Sequence, residues 1–341
     1  MDINCASTGN SGPKIRSDCQ ITLCLKSEGG ISIDLKSKVE TLYGESIKTL
    51  CSDLLGWFGI QNAHLEIDDS GALPFVIMAR MEAAVKKLTS TEMSFLPDFP
   101  EAYKYSATRD RFRFSRLYLP GNTPSLMINA GLHSADGIIL DLEDSVAPDR
   151  KDEARILVRN ALRQLDFRGS ERMVRINQGD RGMDDLDSVI PQNVSLILIP
   201  KCETAENVKE VAKRIRDIKA GSGSDNPVYL MPIIESASGV ENSSAIARAS
   251  ENIVAMAIGL EDLTADMGIM RSREGKESFY SRSRLVIAAK AAGIQPIDSV
   301  YSDVADMEGL RQNVLDSRAM GFEGMGCIHP RQIAVSGYIR S

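Results

Sequence analysis

The chain has 341 residues, 43% of them hydrophobic and 26% charged, and is therefore long enough to bury two separate cores. Its formal charge of −7, from 40 basic and 47 acidic residues, gives no support for nucleic-acid binding. No apolar run is long enough to cross a membrane as a helix, and the polar segment 1–14 lacks the apolar core of a signal peptide. These features predict a cytoplasmic protein with no nucleic-acid or membrane partner.

Cysteines and histidines are scattered along the chain. No two cysteines form a Cys-x-x-Cys pair, so we expect reduced thiols rather than a disulfide framework or a zinc site. The six are Cys5, Cys19, Cys24, Cys51, Cys202 and Cys327. The three histidines, His64, His133 and His329, also lack the spacing of metal ligands. A metal in this protein should therefore be a hard ion such as Mg²⁺, bound by carboxylate oxygens.

The N-terminal part of the chain carries short, mixed elements. Three strands and two helices are predicted there from the residue periodicity, at 21–25, 31–35, 63–67, 47–58 and 79–88. They form a small α+β domain at residues 1–88. The next segment, 89–107, contains two prolines and has neither helical nor strand periodicity, so we expect a linker.

The remainder, residues 108–341, contains eight strand-sized apolar runs, most of them separated by stretches with helical periodicity. The runs are 117–119, 137–142, 173–176, 194–199, 228–234, 253–258, 294–300 and 322–328. Eight strands alternating with helices over this length are typical of a (β/α)8 TIM barrel. The alternative is a doubly wound open sheet, but no Gly-x-Gly-x-x-Gly motif follows the first strand.

Polar residues follow nearly every predicted barrel strand, at the end where catalytic side chains of such barrels converge. They are Asn122, Asp141, Glu143, Asp144, Arg175, Asn177, Lys201, Glu235, Glu261, Asp262, Asp298 and His329. For some of them, such as Asn122, Asp144 and Asp298, the alternative is that they only cap the following helices.

Glu235 and Asp262 end consecutive strands and stand 27 residues apart, about one βα unit. Two carboxylates on the same side of the mouth repel each other unless a divalent ion lies between them, which favours a Mg²⁺ site. Arg175, at the end of the third strand, adds a planar donor suited to a substrate carboxylate. Together they indicate a small, oxygen-rich acid as the substrate.

Several motifs across residues 111–335 resemble those of the citrate lyase beta subunit and its malyl-CoA lyase relatives. They are DLEDSVAPDRKDEAR, VRIN, IPKCETAENV, IESASG, GLEDLTADMG, EGKESFYSR and GFEGMGCIHPRQI. The resemblance implies a TIM barrel that cleaves a citryl thioester, bound to CoA or to a carrier protein, into oxaloacetate and an acetyl thioester. It also implies that Glu235 and Asp262 bind Mg²⁺.

The same resemblance implies roles for three further residues. Arg175 is expected to bind a substrate carboxylate, and Glu143 to face the same pocket. Arg113, just before the first barrel strand, is a further candidate for substrate binding. With Glu235 and Asp262, Arg175 and Glu143 form the expected catalytic set. The resemblance also implies a homo-oligomer, a trimer or hexamer, and a citrate lyase alpha-type subunit as a partner.

Residues 33–87 resemble the citrate lyase gamma subunit, a small acyl carrier protein, especially in IDDSGAL and ARMEAA. A carrier fused to its lyase replaces diffusional encounter by a high local concentration. In that family a serine two residues before an aspartate carries a CoA-derived, phosphopantetheine-type arm. If the aspartate is Asp18, that position is Arg16 here, so Ser17 becomes the attachment candidate after a one-residue shift.

Two departures from the family pattern leave other functions open. Met325 stands where the last barrel strand of the family usually carries lysine, and the sequence ends at Ser341, before the C-terminal helical segment that relatives extend over a neighbouring subunit. The alternatives are a malyl- or citramalyl-CoA lyase that acts on CoA esters, and a non-catalytic assembly subunit.

Overall fold

The computed structural model describes residues 4–223, 225–272 and 274–337. Its residues divide into two compact units. The first comprises the described residues up to Tyr103 together with Gly121–Ile128 and Val146–Leu165, and the second comprises the other described residues.

A four-stranded sheet with two helices forms most of the first unit. Its elements are β1 (Cys5–Gly9), β2 (Cys19–Leu25), β3 (Ile31–Ser37), α1 (Glu40–Trp57), β4 (Ala63–Asp69), α2 (Pro74–Leu88), α3 (Pro124–Met127) and α4 (Lys151–Gln164), with 3-10 turns at Glu101–Tyr103 and Pro148–Arg150. The strand order is β1-β2-β4-β3, with β3 parallel to β4 and the other pairs antiparallel. Inward residues of β2 and β4 pack against α1 and α2, which confirms the small α+β fold.

Strand β1 was not predicted from the sequence, and it overturns one expectation. Cys5 stands directly opposite Cys24 in the antiparallel β1–β2 ladder, and the two side chains form a disulfide. The prediction that all six cysteines are thiols is therefore wrong for this pair, because side chains of directly opposed residues lie on the same face of a sheet. The other four are buried free thiols, and burial raises the pKa of Cys51 and of Cys202 to about 12.

Within the first unit, buried charges join α2 to α4. Both terminal nitrogens of Arg159 donate to the carboxylate of Glu82 at 2.8 Å, and neither side chain is more than 6% exposed. Glu82 also accepts from the backbone of Phe95 at 2.9 Å, so the segment predicted as a linker is hydrogen-bonded here. Burial alone would raise the pKa of Glu82, but Arg159 holds it below its usual value.

A closed barrel of eight parallel strands forms the second unit, as predicted. Its strands are β5 (Ser115–Pro120), β6 (Gly137–Asp141), β7 (Glu171–Arg175), β8 (Leu196–Ile199), β9 (Tyr229–Ile234), β10 (Ala255–Ile258), β11 (Gln295–Asp298) and β12 (Gly324–Cys327). Its helices are α5 (Gly179–Val189), α6 (Ala205–Ser222), α7 (Ala237–Ile246), α8 (Leu260–Asp266), α9 (Phe279–Ala292), α10 (Met307–Met320) and α11 (Arg331–Ser336), and its 3-10 turns are Ala130–His133, Ile190–Gln192 and Lys276–Ser278.

Apolar side chains fill most of the barrel interior, among them Ile139, Met173, Leu198, Met231, Ile233 and Ala257. Parallel strands are covered on both faces, which explains why they read as continuous apolar runs. The register places the polar strand-end residues at one edge: Asp141 pairs with Pro120 on one side and with Arg175 on the other. The barrel thus gathers these residues by geometry alone.

Breaking one buried pair should destabilise the first unit. We expect Glu82→Met to lower its free energy of unfolding by about 3–5 kcal/mol, because Arg159 is left buried and uncompensated. The double change Glu82→Met/Arg159→Met should recover much of this loss. Urea unfolding followed by the fluorescence of Trp57 measures the effect, since the one tryptophan of the chain lies in α1. The exposed pair Lys36–Asp68 provides the control, because Lys36→Ala should cost less than about 1 kcal/mol. A Glu82 variant no less stable than that control would contradict the prediction.

Candidate active site at the mouth of the barrel

A cavity of about 460 Å³ opens at the carboxyl ends of the barrel strands. It lies entirely within the second unit. Its polar lining includes seven of the strand-end residues predicted from the sequence, whereas its walls are largely apolar. The seven are Asp141, Asp144, Arg175, Glu235, Glu261, Asp262 and Asp298. The residues that complete the lining include Arg116, Tyr118, Ile233, Gly259 and Gly326.

Arg175 is held by acids of the loop that follows β6. Its Nε and Nη2 each donate to Asp141 at 2.7 Å, and its Nη1 lies 3.0 Å from Glu143 and 3.5 Å from Asp144. The Tyr118 ring lies beneath the guanidinium, 5.5 Å from its carbon. The bidentate face of Arg175 therefore binds Asp141, and only Nη1 is oriented for a further acceptor.

Glu143 lies behind this arginine and bridges it to a lysine. Its carboxylate is 3.2 Å from Lys201 Nζ and accepts a hydrogen bond from Gln178 at 3.1 Å. Burial, together with Asp144, raises the pKa of Glu143. Burial would lower the pKa of Lys201, but Glu143 and Asp144 raise it, so the ammonium stays charged. Glu143 thus orients two cations toward the mouth.

Glu235 is the most perturbed acid of the cavity. It is 5% exposed, and its carboxylate accepts a hydrogen bond from the backbone of Lys201 at 3.2 Å. Lys201 adopts a left-handed φ of 45°. Burial raises the pKa of Glu235 to about 8, and the charges of Asp262 and Glu143 act in the same direction. A Cβ at Gly259 would come within 2.7 Å of this carboxylate, so the neighbouring strand needs glycine there.

The donors around Glu235 fit a hard divalent cation. Asp262, in the first turn of α8, lines the same cavity and raises the pKa of Glu235, so the two carboxylates sense each other. No set of three histidine, cysteine or acidic side chains is grouped as a metal site in the part of the chain that the structure describes. Two protein oxygens, completed by substrate and water, are a usual arrangement for Mg²⁺.

Other strand-end candidates have structural partners. Asp298 forms a buried ion pair with Arg282 and accepts a hydrogen bond from Ser317. Asn177 donates to Asp185 at 2.8 Å. Three candidates remain. Glu261 accepts a hydrogen bond from Ser302, His329 accepts one from the backbone of Arg331, and Asn122 accepts one from Thr123 at 3.1 Å.

The expected role of Arg113 in substrate binding requires a correction, because the structure places this residue away from the mouth of the barrel. It precedes β5 and pairs bidentately, at 2.7 and 2.8 Å, with Glu171, the first residue of β7. Both residues therefore close the opposite, amino-terminal end of the barrel, where charges stabilise the fold. Met325, the departure on β12, packs with Leu310 and Val314 and does not line the cavity.

Two lining residues, Arg116 and Tyr118, were not predicted as site residues. Both lie on β5, and with Pro120 they occupy alternate positions that face the interior. This alternation along the strand is the sequence signal that could have identified both residues as facing the barrel interior.

A comparison with protein families assigns the barrel. Residues 115–330 match the model described as HpcH/HpaI aldolase/citrate lyase. The chain belongs to this family. Its named activities, aldolase and citrate lyase, are carbon–carbon lyases. Residues 8–88 match an acyl carrier protein model described as malonate decarboxylase delta subunit, which confirms the expected fusion of a carrier-like domain to the family's barrel.

Curated relatives within the HpcH/HpaI family include several lyases. The citrate lyase subunit beta of Leuconostoc mesenteroides subsp. cremoris is 38% identical over 229 residues, which is 66% of this chain and 75% of that protein. The mitochondrial citramalyl-CoA lyase of Homo sapiens is 32% identical over 278 residues, or 77% of this chain and 82% of that protein.

Solved structures of the family show similar barrels. The citrate lyase beta subunit of Mycobacterium tuberculosis with oxaloacetate and magnesium has a TM-score of 0.57 and 32% identity, covering 68% of this chain and 97% of that chain. A second structure from that organism contains magnesium, acetoacetate and coenzyme A, with a TM-score of 0.56, 31% identity and coverage of 68% and 82%.

The raised pKa of Glu235 predicts a pH-dependent stability in the absence of metal. The folded chain keeps the proton up to pH of about 8, whereas the unfolded chain loses it near its ordinary pKa of 4.5. Between these values the unfolded state binds fewer protons, so the free energy of unfolding falls as the pH rises. Glu235→Gln should remove this fall in the free energy of unfolding. The variant should therefore have a Tm higher by ~3 °C or more at pH 8.5, but not at pH 4.5. Calorimetry in excess chelator measures this, and parallel Tm profiles of the two proteins would contradict it.

Proposed function

We propose that this chain is a carbon–carbon lyase that cleaves a citryl thioester into oxaloacetate and an acetyl thioester. The observation that carries the proposal is the pair of acids Glu235 and Asp262 beside Arg175, in one cavity of a barrel of this family. Citrate lyase beta subunits are among its relatives, and the similar solved barrel binds oxaloacetate and magnesium. We assign residues 1–88 to the carrier-like domain, 89–107 to the linker and 108–341 to the catalytic barrel.

The proposed reaction needs no external oxidant or reductant. The tertiary hydroxyl loses its proton and becomes the ketone of the oxo acid, while the bond between its carbon and the carbon next to the thioester breaks. The electron pair passes to the thioester fragment as an enolate, which then takes up a proton. Negative charge first develops on oxygen, so positive charge near that oxygen accelerates the reaction.

Each residue of the site has a distinct role in the proposed reaction. Glu235 and Asp262 would hold Mg²⁺, which supplies the positive charge that stabilises the developing oxyanion. Arg175, fixed by Asp141, offers Nη1 to a substrate carboxylate that displaces Asp144. Glu143 keeps Arg175 and Lys201 oriented and fully charged at the mouth. The apolar walls limit the access of water to the enolate.

Losing one proposed metal ligand tests this assignment. Asp262→Asn should abolish saturable Mg²⁺ binding in calorimetry and lower kcat/KM on citryl-CoA by about 100-fold or more, since several kcal/mol of charge stabilisation disappear. Asp266→Asn is the matched control. It removes the same charge from α8, and its amide oxygen can still accept from the backbone of Ala237, as Asp266 does. The proposed metal site is wrong if the Asp262 variant binds Mg²⁺ as tightly as the wild-type protein. It is also wrong if the variant keeps the wild-type rate of cleavage when excess chelator is present.

Ser17 is our proposed attachment point for a CoA-derived arm. It lies at a turn with a left-handed φ of 56°, and its N–H donates to Ser70 at 3.0 Å. Arg16 beside it is exposed, where its charge would offset that of a phosphodiester. We further propose a homo-oligomer, a trimer or hexamer, and a citrate lyase alpha-type subunit as a partner.

Mass spectrometry of the intact protein from its native host tests the arm. We expect an added mass of several hundred daltons, the size of a phosphopantetheine-type group, that is absent from Ser17→Ala and retained by the control Ser11→Ala. An unmodified chain would limit the substrate to free CoA thioesters.

A further inference from the structure

Arg116 lies deep in the cavity, on β5 below Tyr118 and far from the acids of the mouth. It is 1% exposed and lines the cavity. Its register partners on the two neighbouring strands are both glycines, Gly137 on β6 and Gly326 on β12. A Cβ at Gly137 would already lie 3.4 Å from the Arg116 side chain. Neither neighbouring strand has a side chain at this level, and the space beside the two glycines is filled by Met173 and by Val300.

No acid neutralises this guanidinium. Among the described residues Arg116 forms no ion pair, its Nη1 donates only to the sulfur of Met231 at 3.2 Å, and its buried Nε has no hydrogen-bond partner. Glu171, whose charge raises the pKa of Arg116, is itself bound through both oxygens by Arg113. Burial accordingly lowers the pKa of Arg116. An unpaired buried cation costs several kcal/mol, so its presence in a cavity calls for an anionic ligand.

The cation at the mouth is already compensated. Arg175 binds Asp141 with its bidentate face and contacts Glu143 through Nη1. A substrate with two free carboxylates can therefore contact Arg175, which is partly compensated, at the mouth and Arg116, which is not, at the inner end. Because the two arginines lie at different depths of the cavity, each can bind a different carboxylate of one small acid.

We infer that Arg116 binds a second substrate carboxylate at the inner end of the cavity and so selects 2-hydroxy acid thioesters that carry this extra group. The inference rests on the proposed lyase function and specifies its substrate class. Citryl-CoA has the second carboxylate, whereas citramalyl-CoA has a methyl group in place of the carboxymethyl group. The corresponding oxo acids, oxaloacetate and pyruvate, differ by the same carboxylate.

Steady-state kinetics of the full-length protein with these two thioesters tests the inference. Arg116→Met should lower kcat/KM for citryl-CoA by about 10- to 100-fold, the range for a lost hydrogen-bonded charge, and change that for citramalyl-CoA by less than about 3-fold. An equal loss on both thioesters, no loss on either, or a wild-type protein that cleaves citramalyl-CoA but not citryl-CoA would overturn it.

Two further variants control for folding. Arg172→Met removes another buried arginine of the barrel wall, one that faces the Tyr105 ring at 4.5 Å and does not line the cavity. It should leave the ratio of the two kcat/KM values unchanged, even if Tm falls. Arg116→Gln keeps a polar but uncharged and shorter side chain, and it replaces Arg116→Met should the latter not fold.

Calorimetric binding of oxaloacetate and pyruvate, each with Mg²⁺ present, separates this inference from the proposed function. The wild-type protein should bind oxaloacetate about 10-fold or more tightly than pyruvate, and Arg116→Met should remove that difference. If the protein cleaves no thioester but shows this pattern, the lyase proposal fails and the carboxylate site stands. Equal binding of the two oxo acids by the wild type, no binding of either, or an unchanged preference in Arg116→Met would overturn the carboxylate site.

Discussion

The arrangement of acids at the barrel mouth depends on the guanidinium of Arg175. Asp141, Glu143 and Asp144 come from one short loop and all contact this single cation. Burial alone would raise the pKa of Asp141, but its hydrogen bonds from Arg175 hold it below the usual range. Glu235 has no such donor and keeps its proton to pH of about 8. The contact with one arginine thus separates an acid whose pKa is lowered from an acid of the same cavity whose pKa is raised.

Three arginines occupy three depths of the same barrel, and their surroundings differ in one respect. Arg113 at the amino-terminal end has Glu171, and Arg175 at the mouth has Asp141. Arg116 between them has no acid within ion-pairing distance among the described residues. Arg116 also lines the cavity at the barrel mouth. An unpaired guanidinium that lines a cavity is the physical basis for expecting a ligand there.

Most of the fold follows from the sequence because buried parallel strands give short apolar runs. Each predicted run overlaps one strand of the barrel, and the strand ends bring Arg175, Glu235 and Asp262 to one edge. Strand β1 was missed because CASTG is short and mostly polar. The disulfide was missed with it, since its pairing depends on the register of that strand.

The errors within the site have a different origin. Arg113 was assigned to the substrate through the family resemblance, although its position before the first strand already indicates the amino-terminal end of a parallel barrel. Arg116 stands directly before the apolar run 117–119, and a charged residue there more often lies at the surface. Only the depth of burial and the absence of a paired acid distinguish it, and both are properties of the folded chain.

The four buried thiols have a consequence for chemical labelling. Cys19 and Cys51 belong to the first unit, and Cys202 and Cys327 to the second. Because the thiolate is the reactive form and burial raises each pKa, alkylating reagents reach these sulfurs only when the surrounding structure opens. The rate at which each cysteine is modified therefore reports the opening of its own unit. A single labelling experiment with mass analysis would resolve whether the two units open together or one before the other.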